Sequence, residues 1–211
     1  MTRPSSSLAH LFVLSGPSGV GKTTLAQAVL DNDTNLQRAV THTSRAPRKG
    51  EIEGSHYHFV SETRFLEMKA NHEFLESVHI FGNYYGTSQA AVQRSLDQNV
   101  DTMLIIDFQG ARDVRRLMRN VTSVFILPPS INALQNRLLD RAEVDDHTLQ
   151  SRTEKARFEM SHYTEYDFVV VNDLFDKTVA QVHEIVESVR MSRKLEIGPT
   201  AEKIQSILAN D

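Results

Sequence analysis

The chain has 211 residues, is 40% hydrophobic and 24% charged, and lacks cysteine; this is the make-up of one globular domain, and it excludes a disulfide framework, a thiolate metal site and a cysteine nucleophile. A formal net charge of −4 argues against a broad nucleic-acid-binding face, which needs many cationic phosphate contacts, so no nucleic-acid partner is expected. The longest apolar runs, Met103 to Ile106 and Phe168 to Val171, are far shorter than the roughly 20 residues of a membrane helix, and Met1 to Ser7 has no signal-peptide pattern; a cytoplasmic protein with no membrane partner is expected.

His10 to Ser15 reads as a buried strand and Lys22 to Leu30 as a helix. Between them, Gly16-Pro17-Ser18-Gly19-Val20-Gly21-Lys22-Thr23 fits the pattern G-x-x-x-x-G-K-[ST], whose glycines let backbone N–H groups wrap a β-phosphate at a helix N-terminus. Lys22 then reaches the β and γ oxygens of a nucleoside triphosphate, Thr23 offers a hydroxyl for Mg²⁺, and Thr24 extends the helix start. Residues 41–85 are rich in Gly, His, Arg and aromatic side chains, with strand-like pieces at Tyr57 to Val60 and Phe74 to His79, and read as a substrate-binding insert. His42, His56, His58, His72 and His79 fall here but specify no third ligand for a metal site.

Met103 to Asp107 and Val121 to Leu127 read as strands, and Gln109 to Met118 as a helix between them, so the crossover is expected to be parallel. Asp107 closes the first of these strands, where a P-loop requires an acidic partner for Mg²⁺ and its waters; capping of the next helix is the competing reading. Helical patterns at Ile131 to Arg141, Leu149 to Thr164 and Asp173 to Arg193, with a strand at Phe168 to Asn172, complete the alternation of an open α/β sheet covered on both faces. The polar, acidic stretch Arg141 to His147 suits a mobile lid. Beyond Gly198-Pro199 a last helix carries Ile204, Ile207 and Leu208; it reads as a docking element for a partner or for its own core, and a homo-oligomer is compatible with it.

Further stretches follow the P-loop in order: Thr43-Ser44-Arg45-Ala46-Pro47-Arg48, Gly82-Asn83-Tyr84-Tyr85-Gly86-Thr87, Asp107-Phe108-Gln109-Gly110, Phe125 to Ser130, and Val171-Asn172-Asp173. Together they resemble the guanylate kinase family over nearly the whole chain. The resemblance implies an α/β fold: a P-loop NTPase-type parallel sheet flanked by helices, with a small mixed GMP-binding insert and a helical lid. The implied single domain divides into a core (8–40, 98–138 and 154–211), an insert (41–97) and a lid (139–153). The implied reaction is transfer of the γ-phosphoryl group of ATP to GMP, with Mg²⁺ as cofactor and ATP and GMP as partners.

By the same resemblance, Gly16, Pro17, Ser18, Gly19, Val20, Gly21, Lys22, Thr23, Thr24 and Asn172 contact ATP. Arg45, Arg48, Tyr57 and Tyr85 hold the phosphate of GMP, Glu76 accepts the paired donors of guanine, Thr41 and Thr87 read its edge, and Asp107 also faces GMP. Catalytic work falls to Lys22, Arg45, Arg141, Arg152 and Asp107, while Arg137 is either a further closing cation or an ion-pair partner on a helix surface. Three positions depart from the family pattern: Ile105 stands where an aspartate is usual, Asp140-Arg141-Ala142 replaces Gly-Arg-Gly, and Leu174 replaces an acidic residue. Two alternatives stay open at this point, a divergent kinase acting on another small phosphate ester and a non-catalytic protein-binding module.

Overall fold

The computed structural model describes residues 9–80, 82–139 and 146–209. In chain order its elements are β1 (Leu11–Ser15), α1 (Lys22–Asp31), β2 (Leu36–Arg38), β3 (Thr41–Thr43), β4 (Tyr57–Phe59), α2 (Glu62–Ala70), β5 (Phe74–Ile80), β6 (Asn83–Ser88), α3 (Gln89–Asp97), β7 (Asp101–Ile105), α4 (Phe108–Leu117), β8 (Val121–Leu127), α5 (Ile131–Leu139), α6 (Asp146–Met160), a 3₁₀ turn (Tyr163–Glu165), β9 (Phe168–Val171), α7 (Phe175–Arg190) and α8 (Ala201–Ala209). Every residue of β1 is buried, so the strand needs a helical layer on each face. Phe12 and Leu14 enter one core with Leu25 and Val29 of α1 and Val182, Ile185 and Val186 of α7. Leu11 and Val13 enter the other, with Ala111 and Val114 of α4, Met160 of α6 and Ile204 and Ile207 of α8.

The central sheet has the order β2-β7-β1-β8-β9 and is parallel throughout. The crossover from β7 through α4 to β8 is parallel, as its pattern indicates, and it passes over β1, which lies between the two strands. Strand order thus reverses beside β1, where open α/β sheets bind ligands at the carboxyl ends of the strands. The last helix finds its partner within the chain: Ile204 and Ile207 are buried, and Arg157 donates to the carbonyl of Leu208 at 3.0 Å. Among the described residues no helix is long and apolar enough to cross a membrane.

Residues 41–88 build a second, mixed sheet of order β4-β3-β6-β5, with α2 packed against β5 and β6 through Phe65 and Met68. In β5 the register against β6 shifts between Phe74 and Glu76. Strict alternation would place Leu75 and Glu76 on opposite faces, but across this bulge both are buried, at 1% and 5% exposure. A bulge re-aims side chains in this way, and here it turns a carboxylate inward.

At the other end of β7 lies a second buried carboxylate, Asp101. Arg190 of α7 joins it to Asp33 and Glu187, with each N···O separation at 2.7 Å. Asp33, His183 and Glu187 bring metal-ligand atom types within 4.8 Å of one another, but the Arg190 guanidinium already engages both carboxylates, so the group is an ion-pair cluster.

Candidate active site

The loop after β1 is shaped by glycines. Gly16, Gly19 and Gly21 all have positive φ, and a Cβ on Gly16 would collide with the carbonyl oxygen of Ile126 in the neighbouring strand β8. Only glycine fits that position without strain. Lys22, the first residue of α1, folds back over the loop and donates to the carbonyls of Gly16 (2.6 Å) and Pro17 (3.0 Å). Thr23 and Thr24 lie exposed in the first turn. The loop is braced from behind: Asn172 is buried and donates to the carbonyl of Val20 at 2.8 Å, while Arg137 donates to the carbonyls of Val20 and Asn172. Arg137 therefore holds backbone of the P-loop rather than a surface carboxylate.

Asp107 follows β7 and caps α4, its Oδ1 accepting from the Gly110 N–H at 2.9 Å. Capping and a functional position are not exclusive here, because the same carboxylate lines two cavities. One, of about 380 Å³, is walled by Gly16, Ser18, Lys22, Asp107, Arg152 and Glu159, among others. The second, of about 310 Å³, is walled by Lys22, Arg38, Thr41, Tyr57, Glu76, Tyr85, Ile105 and Asp107, among others. Lys22, Asp107 and Ile80 belong to both. A third cavity of about 360 Å³, on the far side of the loop, is bounded by Gly19 to Gly21, Arg137, Asn172, Asp173 and Phe175.

Glu76 dominates the second cavity. Its carboxyl pKa is pushed up to about 7, first by burial and further by the negative charge of Asp107, against the opposing hydrogen bonds from Thr87. The Thr87 hydroxyl donates to Glu76 Oε1 at 2.6 Å, and Thr87, buried behind that carboxylate, does not line the cavity. Gly110 allows the close approach of α4, since a Cβ there would lie 3.2 Å from Glu76 Oε2. Tyr57 and Tyr85 meet edge to face, with centroids 6.1 Å apart.

Arg45 and Arg48 stand beyond this wall. The Arg45 guanidinium lies 5.5 Å from the Tyr57 ring centroid and is held by Glu51 at 2.8 Å; Arg48 has an exposed side chain, and its backbone N–H donates to the other oxygen of Glu51. The Arg45 guanidinium, followed by the Arg48 N–H, holds the Glu51 carboxyl down at about 2. Arg152 lines the first cavity and makes no hydrogen bond or ion pair among the described residues. Arg141, the other closing arginine expected from sequence, lies outside the described residues. Two histidines of the insert have hydrogen-bond partners of their own: His58 bonds Glu53 at 2.9 Å and packs on His42, while His56 Nδ1 accepts from the Ile52 N–H.

Thr23 and Asp107 offer a hydroxyl and a carboxylate beside a phosphate-binding loop, the hard oxygen donors that Mg²⁺ takes alongside its own waters. Asp107 Oδ1 is engaged by Gly110, and no hydrogen bond among the described residues engages its second oxygen. The donor set fits the ion.

The guanylate kinase family model matches residues 9–189. The chain belongs to the guanylate kinase family. It is 43% identical over 199 residues to a guanylate kinase of Methylobacillus flagellatus, covering 94% of this chain and 98% of that one. It is 45% identical over 198 residues to a guanylate kinase of Alkalilimnicola ehrlichii, covering 94% and 98%. The crystal structure of guanylate kinase from Anaplasma phagocytophilum superposes with a TM-score of 0.72 at 36% identity, covering 88% of each chain.

Three residues at this candidate site escape a reading by motif. Glu51 follows Arg48 by three positions and organises both arginines; an acidic residue closing an arginine-rich turn was the available signal. Glu159 sits on α6, and its Oε2 accepts from the Ser18 N–H at 3.1 Å. A carboxylate thus rests on a P-loop amide, the kind of donor that binds anions at a helix start. Arg38 enters the second cavity from β2, a strand too short to show a period.

Proposed function

We propose that this guanylate kinase transfers the γ-phosphoryl group of ATP to GMP, giving ADP and GDP, with the residue roles set out below. The observation that carries the assignment of sites is the pair of cavities sharing Lys22 and Asp107. The first, on the P-loop, suits the phosphates of ATP, and the third, beside Asn172, suits its nucleoside. The second, with a buried carboxylate at one side and two phenols at the other, suits GMP. Guanine presents N1–H and an exocyclic NH₂ side by side, and one ionised carboxylate, Glu76, accepts both. Thr41 faces the base edge from the same wall, and Thr87 orients Glu76 from behind.

Tyr57 and Tyr85 donate to the GMP phosphate, and Arg45 and Arg48 close on it from the outer side, with Glu51 fixing the direction of the Arg45 fork. The attacking group is a phosphate oxygen that is already anionic, so no general base is needed. The chain's task is to bring two anions together in line and to offset their repulsion. Lys22 moves from its loop carbonyls to the β and γ oxygens. Arg152, joined by Arg141, adds positive charge where it develops on the transferred group, and lid closure excludes water. Thr23 and Asp107 would hold Mg²⁺, directly or through its waters, and the bound ion would neutralise charge on the β and γ oxygens.

The test is ADP release with MgATP and each of GMP, dGMP, AMP, UMP, CMP and IMP. Turnover confined to GMP and dGMP is expected. A faster reaction with another acceptor would make the chain a kinase of a different phosphate ester, and GMP binding without ADP release would make it a binding module.

A further inference from the structure

Arg38 ends β2, the edge strand of the central sheet. It pairs in register with Met103 of β7, so it shares a sheet face with Met103 and, two residues on, with Ile105. Arg38 and Ile105 therefore stand side by side at the carboxyl ends of adjacent strands, and both line the cavity that holds Glu76, Tyr57 and Tyr85. The Arg38 guanidinium carbon is 5.9 Å from the Tyr57 ring centroid. Tyr57 is thus flanked by two guanidinium groups, since Arg45 lies 5.5 Å from the same ring.

Arg38 is half-buried and, among the described residues, forms no hydrogen bond or ion pair. Its neighbour on the strand side is the apolar Ile105. A guanidinium withdrawn from water without an anion carries an uncompensated desolvation cost, and a ring face offsets only a small part of it. The cavity is therefore arranged to receive an anion beside Arg38. Glu76 and Asp107 line the same space but do not bond it, leaving the ligand to supply the countercharge.

We propose that Arg38 is a further positioning residue for the acceptor: a third guanidinium that contacts the phosphate of GMP across Tyr57 from Arg45. The proposal rests on assignment of the second cavity to GMP. Contact with a phosphate, unlike contact with the base or a role in packing, discriminates between GMP and guanosine.

The experiment measures binding of GMP and of guanosine by calorimetry, and KM for GMP and ATP, in the native chain, Arg38→Met and Arg38→Lys. Loss of one charge-assisted contact predicts GMP binding roughly 10- to 100-fold weaker in Arg38→Met, with guanosine binding and the KM for ATP unchanged. Arg38→Lys, which keeps the charge but not the fork, is expected to fall between. Equal losses for GMP and guanosine, or unchanged GMP binding in both variants, would overturn the proposal. Failure of the native chain to bind GMP at all would overturn the acceptor-site assignment and the proposal with it, and that result is read before any variant is made. If Arg38→Met does not fold, Arg38→Lys carries the same comparison.

Discussion

Replacing Glu76 by glutamine separates what the buried carboxylate costs the fold from what it does for the ligand. In the folded chain its pKa is about 7, against 4.5 for the free group. Between those values the folded state binds more protons than the unfolded state, so unfolding free energy falls as pH rises through this window. The difference of about 2.5 units corresponds to roughly 3 kcal/mol, fully lost once pH exceeds the folded value. Glutamine does not titrate. Glu76→Gln is therefore expected to match the native chain near pH 4.5 and to exceed its stability at pH 8 by up to about 3 kcal/mol.

Guanine binding should run the other way. Its two donors need the ionised carboxylate, so binding below pH 7 releases a proton, and affinity falls by up to about tenfold per pH unit. An amide presents an N–H to one of those donors, and roughly a 10²-fold loss of GMP affinity is expected. Urea unfolding at pH 4.5 and 8, with calorimetric GMP titrations between pH 6 and 8, reads both effects. The phosphate of GMP also titrates near pH 6, so the proton linked to Glu76 is taken from the difference between native chain and variant. Equal stability differences at both pH values, or identical pH slopes of GMP affinity, would refute the reasoning.

Three other perturbations have definite outcomes. Lys22→Met is expected to lower kcat by roughly 10²- to 10³-fold with little change in Tm, since Lys22 donates to carbonyls of the P-loop; steady-state kinetics and calorimetric scans check this. Gly16→Ala forces a side chain into positive φ against the carbonyl of Ile126 and should destabilise the chain by about 1–3 kcal/mol or more while abolishing ATP binding, as read by urea unfolding and nucleotide titration. Arg190→Met removes the guanidinium that joins buried Asp101 and Asp33; a loss of about 3–5 kcal/mol in urea unfolding, with unchanged KM for GMP in whatever fraction is folded, is the expected result.

The strand, loop and helix around Lys22 and the full extent of β8 were legible because glycine placement and apolar runs are local signals. The insert was read less completely. Helix α2 buries only Phe65 and Met68, too few for a clear period, although Ser61 caps it by accepting from the Arg64 N–H, and a serine before an acidic first turn was a usable sign. Strand β2 has three residues and one buried side chain, so neither it nor the inward course of Arg38 could be inferred. The register shift in β5 is set by pairing with β6, and single-strand alternation would leave Glu76 on the wet face. Glu159 reaches Ser18 across 141 residues, a contact that only the packing of α6 creates. Resemblance, rather than pattern, pointed to Glu76, Thr41 and the tyrosines, and the structure collects Glu76, Thr41, Tyr57 and Tyr85 around one cavity while setting Arg45, Arg48 and Thr87 outside its lining.

The Arg190 cluster also bears on how the chain is made. Asp101 opens the strand that lies directly beside the P-loop strand, yet its cationic partner is 89 residues downstream. At about 5–20 residues per second of synthesis, that gap lasts roughly 4 to 18 seconds. Throughout it the nascent chain has Asp101 and the His10 N–H that bonds it, but not the guanidinium that joins this carboxylate to Asp33 and Glu187. All five strands of the central sheet have emerged by Val171, before Arg190 exists. The guanidinium that completes the Asp101 cluster, at the end of the sheet opposite the P-loop, thus arrives only with α7.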